Sequence, residues 1–504
     1  MNAFHTSAFL GSLSALLLCG AFAEPAQAQS RDYEAVARLR AELASQAMSK
    51  SSGSRPVSGT GPIGMNYGDE PAFSHDGGPH VRVWYAQSGQ HAVLPTDDDG
   101  NGIPDFVELL AERAETIAQA YDDAGWRRPL RDDTRGLPDD GGDDRFDVYL
   151  LDFGQGSDGV FVKEFCEGTP TVCGGFIAIE NDFVGFGYVS IDDALRTLFS
   201  HEYAHAIAAA YFDGVPTWWN EGFATWAEFP YGAVENDVIR LTSRWFRTPS
   251  IALDDTTQPG SSWPYASSAF VMDLARRFGD GFPREVFERL SDASARSIPG
   301  ALEAALEARS TTLEETWRSF AARGWFTGSR SRSPQDVWNA AQMPTYPVET
   351  VAFELPLRVD VPTWSVQALR LDAPSGRVQW APCEGEEQAS MVVVTSGAQQ
   401  LIEADGTVVE LSTSDTLLVV GRPRVSQGLC GQLVEAPDAP ACPGGDACDP
   451  EPPVTPEPPV TPTPPGDDAS KDEGCAAAGV SSISWAALGL LAFLRRRRRA
   501  ATSA

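Results

Sequence analysis

An α+β fold is predicted for this 504-residue chain, with one domain of mixed sheet and helices at 61–335 and a small β-sandwich at 345–435. Three observations predict it. From about residue 78 the chain offers strand-like runs, HVRVWYA, FDVYLLDF and GGFIAIEN, followed by long stretches of helical hydrophobic period. Beyond 345 the pattern changes to short β-rich runs, VETVAFELPLRV, SVQALRLDA, ASMVVVTS and DTLLVVGRPRV, broken by turn residues as in a sandwich. No internal repeat of 20–50 residues is visible outside a proline-rich spacer, and the length suffices for two or three cores.

The ends carry their own signals. Residues 1–28 read as a secretory signal, with an apolar run Leu13–Ala23 and a small-residue cleavage site Ala26-Gln27-Ala28. Residues 29–60 begin amphipathic and decay into Ser and Gly, which suits a flexible leader or short pro-segment. At the other end, 436–474 is a Cys/Pro-rich linker whose stretch PEPPVTPEPPVTPTPPG, Pro450–Gly466, forms an extended spacer and no core. The tail 475–504 holds Cys475, an apolar run Ala476–Leu494 and five arginines, Arg495–Arg499. Its length and terminal charge suit a membrane span or sorting segment with the arginines inside and the rest of the chain outside. Export therefore places the protein at the cell surface or beyond it.

Eight cysteines are present; setting aside Cys19 and Cys475 leaves six, an even number that argues for disulfides in an exported chain. Of the fifteen connectivities open to six cysteines, neighbour pairing is the simplest: Cys166–Cys173, Cys383–Cys430 and Cys442–Cys448. The formal charge of −32 disfavours nucleic acid and anionic membrane surfaces as partners.

The chemistry concentrates in HEYAHAIAAAYFDGVPTWWNEGFATWAE, His201–Glu228. Ser190 and Asp193 have the form of a capping box that starts a helix at about Ile191, and Gly214 and Pro216 end it. His201 and His205, four apart, project from one face of that helix and can converge on one ion. Thr217 is expected to cap a second helix with Glu221 in its first turn, fifteen residues lying between it and His205, so that a tight reversal brings its carboxylate back to the imidazoles. Two imidazoles and one carboxylate make a three-ligand catalytic zinc set, and Glu202 stands beside it as a carboxylate outside the ligand set that can take a proton from water. Histidines at this spacing also occur as hydrogen-bonded core residues. The chain holds six in all, and the Asn-Glu-Gly that follows at a productive distance favours the metal.

Together, His201-Glu202-Tyr203-Ala204-His205 and Trp218-Trp219-Asn220-Glu221-Gly222-Phe223-Ala224-Thr225 resemble the gluzincin clan of zinc metallopeptidases, in particular the aminopeptidase N family. The resemblance spans roughly 170–285 and implies a thermolysin-like catalytic domain, His201, His205 and Glu221 as zinc ligands, and Glu202 as general base. By position in the run Tyr265–Gly279 it assigns Tyr265 to stabilising the oxyanion. A packing tyrosine at a helix start is the other reading. Upstream, Gly174–Asn181 has the form of the edge strand along which a peptide substrate pairs. Exopeptidase specificity is not carried over, because the spacing from Glu180 to His201 is short and Ile179 stands where the aminopeptidase motif has Met. The tail is similar to the myxobacterial sorting signals called MYXO-CTERM, and the whole organisation looks like a group of myxobacterial metalloproteases.

A second metal loop is expected in DDDGNGIPDFVE. Asp97, Asp99, Asn101, the Ile103 carbonyl, Asp105 and Glu108 fall at the ligand positions of a twelve-residue calcium loop, with Gly102 at the sharp turn. A structural Ca2+ holding the start of the following helix is one reading, a solvated acidic turn the other. The run Asp139–Asp144 is a looser candidate for such an ion, with a solvated loop as the favoured reading. Two functions are thus open: a zinc-dependent peptidase acting on a peptide or protein, or a catalytically silent surface binding protein on the same scaffold. The retained Glu202 argues for the first.

Overall fold

Strand order, more than strand identity, decides which strand lies at the sheet edge beside the helices. The computed structural model describes residues 55, 56 and 66–437, apart from 134, 137–140, 155–156, 258–261, 293–295, 334–335, 375, 385–386, 396–399, 404–406 and 424–428. The signal segment, most of the leader, the proline-rich linker, the apolar tail and the expected Cys442–Cys448 pair lie outside the described residues. Among those described, no helix is long and apolar enough to cross a membrane.

The fold is α+β with mixed sheets. Its first sheet joins β1 (Ala72–Asp76), β2 (Val81–Ala86), β3 (Phe146–Leu151), β4 (Gly159–Glu167) and β5 (Val172–Glu180) in the order β1-β2-β3-β5-β4. β2, β3 and β5 run parallel, while β1 and β4 lie antiparallel at the two edges. The parallel step from β2 to β3 needs a long crossover, supplied by helix α1 (Asp105–Asp123). Alternation along the strands then separates two cores. Val81, Val83, Val148, Leu150, Ile177 and Ile179 face the helices, while Tyr149, Leu151, Val162, Phe176 and Ala178 form a smaller cluster on the other face.

Here the expectation for Gly174–Asn181 is corrected. That segment is the interior strand β5, and the edge is β4, GVFVKEFCE, which returns antiparallel in a hairpin closed by the Cys166–Cys173 disulfide. The glycine pair has a packing reason. The register of β4 slips between Lys163 and Phe165, leaving Glu164 as an extra residue, and a Cβ on Gly175 would overlap the Val162 carbonyl.

Helix α2 (Ile191–Tyr211) begins where expected, with Ser190 Oγ accepting from the Asp193 amide at 3.0 Å. The reciprocal half of the box is absent, since the Asp193 carboxylate pairs with Arg196. In α3 (Thr217–Glu228), Thr217 is the first helical residue and not the cap; Pro216 holds the cap position with φ −66° and ψ 146°, and no side chain caps the helix. Proline presets φ for entry, and its carbonyl accepts from the Trp219 and Asn220 amides at 3.0 Å each. Next come α4 (Asn236–Arg247), α5 (Trp263–Ala266), α6 (Ser268–Phe278), α7 (Phe282–Leu290), α8 (Ile298–Glu307) and α9 (Leu313–Arg323).

The second region is built from two further sheets. One has β9 (Arg377–Pro382), β10 (Glu387–Gln388), β13 (Val408–Glu410) and β15 (Leu429–Glu435) in the order β10-β15-β9-β13, with β7 (Leu357–Val361) also on β15. The other has β6 (Glu349–Ala352), β8 (Val366–Asp372), β11 (Ser390–Thr395), β12 (Gln400–Glu403) and β14 (Thr416–Val420) in the order β12-β11-β14-β8-β6. The Cys383–Cys430 disulfide forms as expected. β14, TLLVV, is buried throughout because both of its faces are covered. Leu417 and Val419 meet Val378, Trp380 and Leu433 between the sheets, while Leu418 and Val420 join the helical core with Trp364 and Val366. Each such side chain contributes about 1.5–3 kcal/mol by leaving water. Hydrogen bonds sew the same seam: Trp317 Nε1 to Gly421 O at 2.8 Å, Leu253 N to Trp364 O at 2.9 Å and Val366 N to Pro249 O at 2.7 Å.

Candidate metal centre

The link Phe212–Pro216 folds α3 back along α2, and this brings together the three residues that spacing alone points to. Glu221 Oε2 lies 3.3 Å from His201 Nε2 and 3.5 Å from His205 Nε2, with all three side chains buried. Their ligand atoms fall within 4.8 Å of one another. Donors about 2.0–2.1 Å from a common tetrahedral ion stand roughly 3.3–3.4 Å apart, so the set fits one small divalent cation. Imidazole nitrogens with a carboxylate oxygen suit a borderline transition metal better than calcium or magnesium.

A fourth residue, not picked out from the sequence, completes the arrangement. Glu228, fully buried at the end of α3, places Oε1 2.7 Å from His201 Nδ1. With that proton held on Nδ1, the ring presents Nε2 to the centre, the outer carboxylate arrangement common around histidine ligands. Burial alone would push the His201 imidazole down, but its bonds to Glu221 and Glu228 outweigh it and raise the pKa to about 9. A signal for Glu228 was present in its spacing, since it lies seven residues and two turns past Glu221 on the same helix.

Glu202 stands outside the convergent group. Its Oε2 accepts from the Phe161 amide of β4 at 2.8 Å, so the base assigned from sequence lies between the helix and the sheet edge. No side-chain signal could have revealed this partner, because any residue but proline at 161 would offer the same N–H. Tyr265 sits in the short helix α5, its ring stacked on His201 with centroids 5.7 Å apart and planes at 19°. Ser267 Oγ bonds both the Trp218 carbonyl and, at 2.7 Å, the Pro264 carbonyl, tying this turn to the start of α3. The close approach explains Gly222. A Cβ there would overlap Ser267 Oγ and press on the backbone of Ser267 and Ser268.

Other residues singled out in the sequence stay apart from the centre. Glu180 follows Ile179 on β5, which packs toward α2, so its side chain takes the opposite face and accepts from the Phe153 amide at 2.9 Å. In the loop before α1, Gly100 and Gly102 adopt φ of 69° and 90°. There the carboxylates turn onto loop amides: Asp97 onto Asn101 and Gly102, Asp99 onto Asn101, and Asp105 onto Asp98, while Glu108 accepts from the Asn101 side chain at 2.8 Å. Ile103 donates its amide to Asn101 Oδ1 at 2.7 Å. Among the described residues, three ligand atoms meet within 4.8 Å at the histidine centre and at Cys166, Cys173 and Asp213, and in the latter the thiols are spent in a disulfide. Compared with protein-family models and with curated protein sequences, the chain finds no match.

Proposed function

We propose that this protein is an exported zinc metallopeptidase of the gluzincin type, surface-attached or secreted, with a thermolysin-like catalytic domain. One observation carries the reading: two imidazoles and a carboxylate meet in a buried centre at separations suited to one ion, with Glu202 held beside them by a backbone amide. Zinc bound by His201, His205 and Glu221 would supply Lewis acidity and make water nucleophilic toward a peptide carbonyl at neutral pH.

The chain's own residues do the rest. Glu202 takes the proton of the attacking water on its carboxylate and delivers it to the leaving amine. The Phe161 N–H, bonded to Oε2, aims that carboxylate. Glu228 holds the His201 ring in its tautomer, and Tyr265, lying on that ring, is assigned to the oxyanion. Peptide is the substrate class because β4 is the outermost strand of the sheet and carries the amide that touches Glu202, so an extended chain added to this edge passes the centre. In the same reading the Asp97–Glu108 loop takes a structural Ca2+, tested by calcium-dependent thermal unfolding that Asp97→Asn removes.

Bound zinc and hydrolysis of a mixed peptide library, compared between the wild type and Glu202→Gln, test the main reading. Stoichiometric zinc in both with cleavage only in the wild type is expected. Zinc without cleavage in either would leave a binding protein on this scaffold, and absence of zinc from both would overturn the assignment.

A further inference from the structure

Arg55 belongs to the segment read from sequence as a leader, yet its guanidinium is fully buried against the sheet face opposite α2. Nε donates to Glu164 Oε1 and Oε2 at 3.1 and 3.0 Å, and Nη2 donates to Glu164 Oε2 at 2.7 Å. Nη2 also bonds Asp132, and Nη1 bonds Asp147 and, at 3.5 Å, the Tyr149 hydroxyl. The Phe176 ring lies beneath, 5.8 Å from the guanidinium carbon. Nearby, the Pro56 carbonyl accepts from Tyr67 N at 3.0 Å, and the Tyr67 hydroxyl bonds the carbonyls of Trp84 and Leu150, each at 3.0 Å.

A planar fork with donors on every nitrogen, gripped by one bidentate carboxylate and two others, is how a protein recognises an arginine side chain. Without the guanidinium, three acids would share one buried pocket. Burial already lifts Asp132 above the usual carboxylate range and Asp147 to about 7. Position gives the pocket its consequence. Glu164 is the extra residue of the β4 bulge, three residues along the strand from Phe161, whose amide holds Glu202.

We propose that Asp132, Asp147 and Glu164 form an arginine-binding site whose ligand is Arg55 of the N-terminal segment, and that this docking sets the edge strand on which Glu202 rests. Arg55 is then a positioning residue, and maturation keeps it: trimming before residue 55 is tolerated, and trimming beyond it loosens β4. The link to catalysis rests on the peptidase reading, while the docking does not.

Hydrogen exchange along β4, with thermal unfolding, in the exported protein and its Arg55→Ala and Arg55→Lys variants tests the proposal. Exchange at Phe161–Glu164 is expected to rise about tenfold or more in Arg55→Ala, ahead of the remaining sheet. Ethylguanidinium added at millimolar concentration should reverse that rise. Should Arg55→Ala fail to fold, Arg55→Lys, which keeps the charge and loses the fork, is read in the same way and shows the selective rise in β4. Unchanged exchange in β4, a uniform rise across the fold, or an Arg55→Ala chain indifferent to ethylguanidinium overturns it. None of these readouts needs hydrolysis, so they report on Arg55 even where the scaffold cleaves nothing, and a failure of the docking stays distinct from a failure of the peptidase reading.

Discussion

Glu228 Oε1 stands 2.7 Å from His201 Nδ1, at the far end of the same helix that brings Glu221 to the other side of that imidazole. One ring is thereby held between two carboxylates from a single helix, two turns apart.

Because Glu228 meets His201 at its outer nitrogen and lies outside the inner set, Glu228→Gln should leave the three inner donors in place and weaken their hold. A loss of about 10–100-fold in metal affinity is expected, the range found when outer carboxylates are removed. Competition with a chromophoric chelator measures it. Unchanged affinity would mean that the His201 ring is oriented by packing, for instance by Tyr265.

Gly222→Ala drives a methyl group into Ser267 Oγ and the backbone that follows. Destabilisation of about 1–3 kcal/mol is expected from overpacking a buried helix contact, read from urea unfolding. Ser267→Ala in the same chain should restore part of the loss and no more, since the Ser267 and Ser268 backbone atoms remain close to the new methyl.

Trp364 reaches from the sandwich into the helical core, against Trp218, Phe270 and Trp317, with ring centroids 5.6, 5.9 and 5.0 Å away. Trp364→Ala should cost about 3–5 kcal/mol through the cavity it leaves. Since Trp218 opens the helix that carries Glu221, metal affinity should fall with stability. Denaturation followed by tryptophan fluorescence and by far-ultraviolet dichroism should give coincident transitions, and a sandwich that unfolds separately would sink the idea of a shared core.

Glu180 supplies a pH test away from the metal ligands. Burial raises its carboxyl to about 8, against an ordinary value of 4.5, with Asp152 and Asp182 adding to the rise and the Phe153 amide opposing it. The native state therefore holds a proton that the unfolded chain has released, so this residue's contribution to stability is present below about pH 4.5 and is lost as pH rises through 8. Glu180→Gln should flatten the decline in melting temperature over that window. An unaltered profile would show that Glu180 stays ionised in the fold.

Much of the candidate metal centre was legible because its information is local. His201 and His205 share a helical face by spacing, Ser190 announces the start of that helix, and Glu221 follows a reversal too short to lead elsewhere. The disulfides at Cys166–Cys173 and Cys383–Cys430 follow from neighbour pairing for a similar reason, as the first joins the paired strands β4 and β5 and the second joins β15 to the residue just past its neighbour β9. Glu228 was not read from the sequence, because its two-turn spacing from Glu221 gains meaning only from the buried histidine beside it.

The position of the sheet edge was not legible. GGFIAIEN and GVFVKEFCE are both good strands, and nothing in either states which one ends the sheet. Sequence by itself determined the periodic faces of the helices and strands and the donor set of the centre, because side-chain identity and helical spacing act over a few residues. Tertiary structure alone decided that β4 is outermost, that the Phe161 amide meets Glu202, and that Arg55 is buried among three acids. Those outcomes depend on which segments win contact across the fold, a competition among backbone groups and buried charges far apart in the chain that no local pattern records.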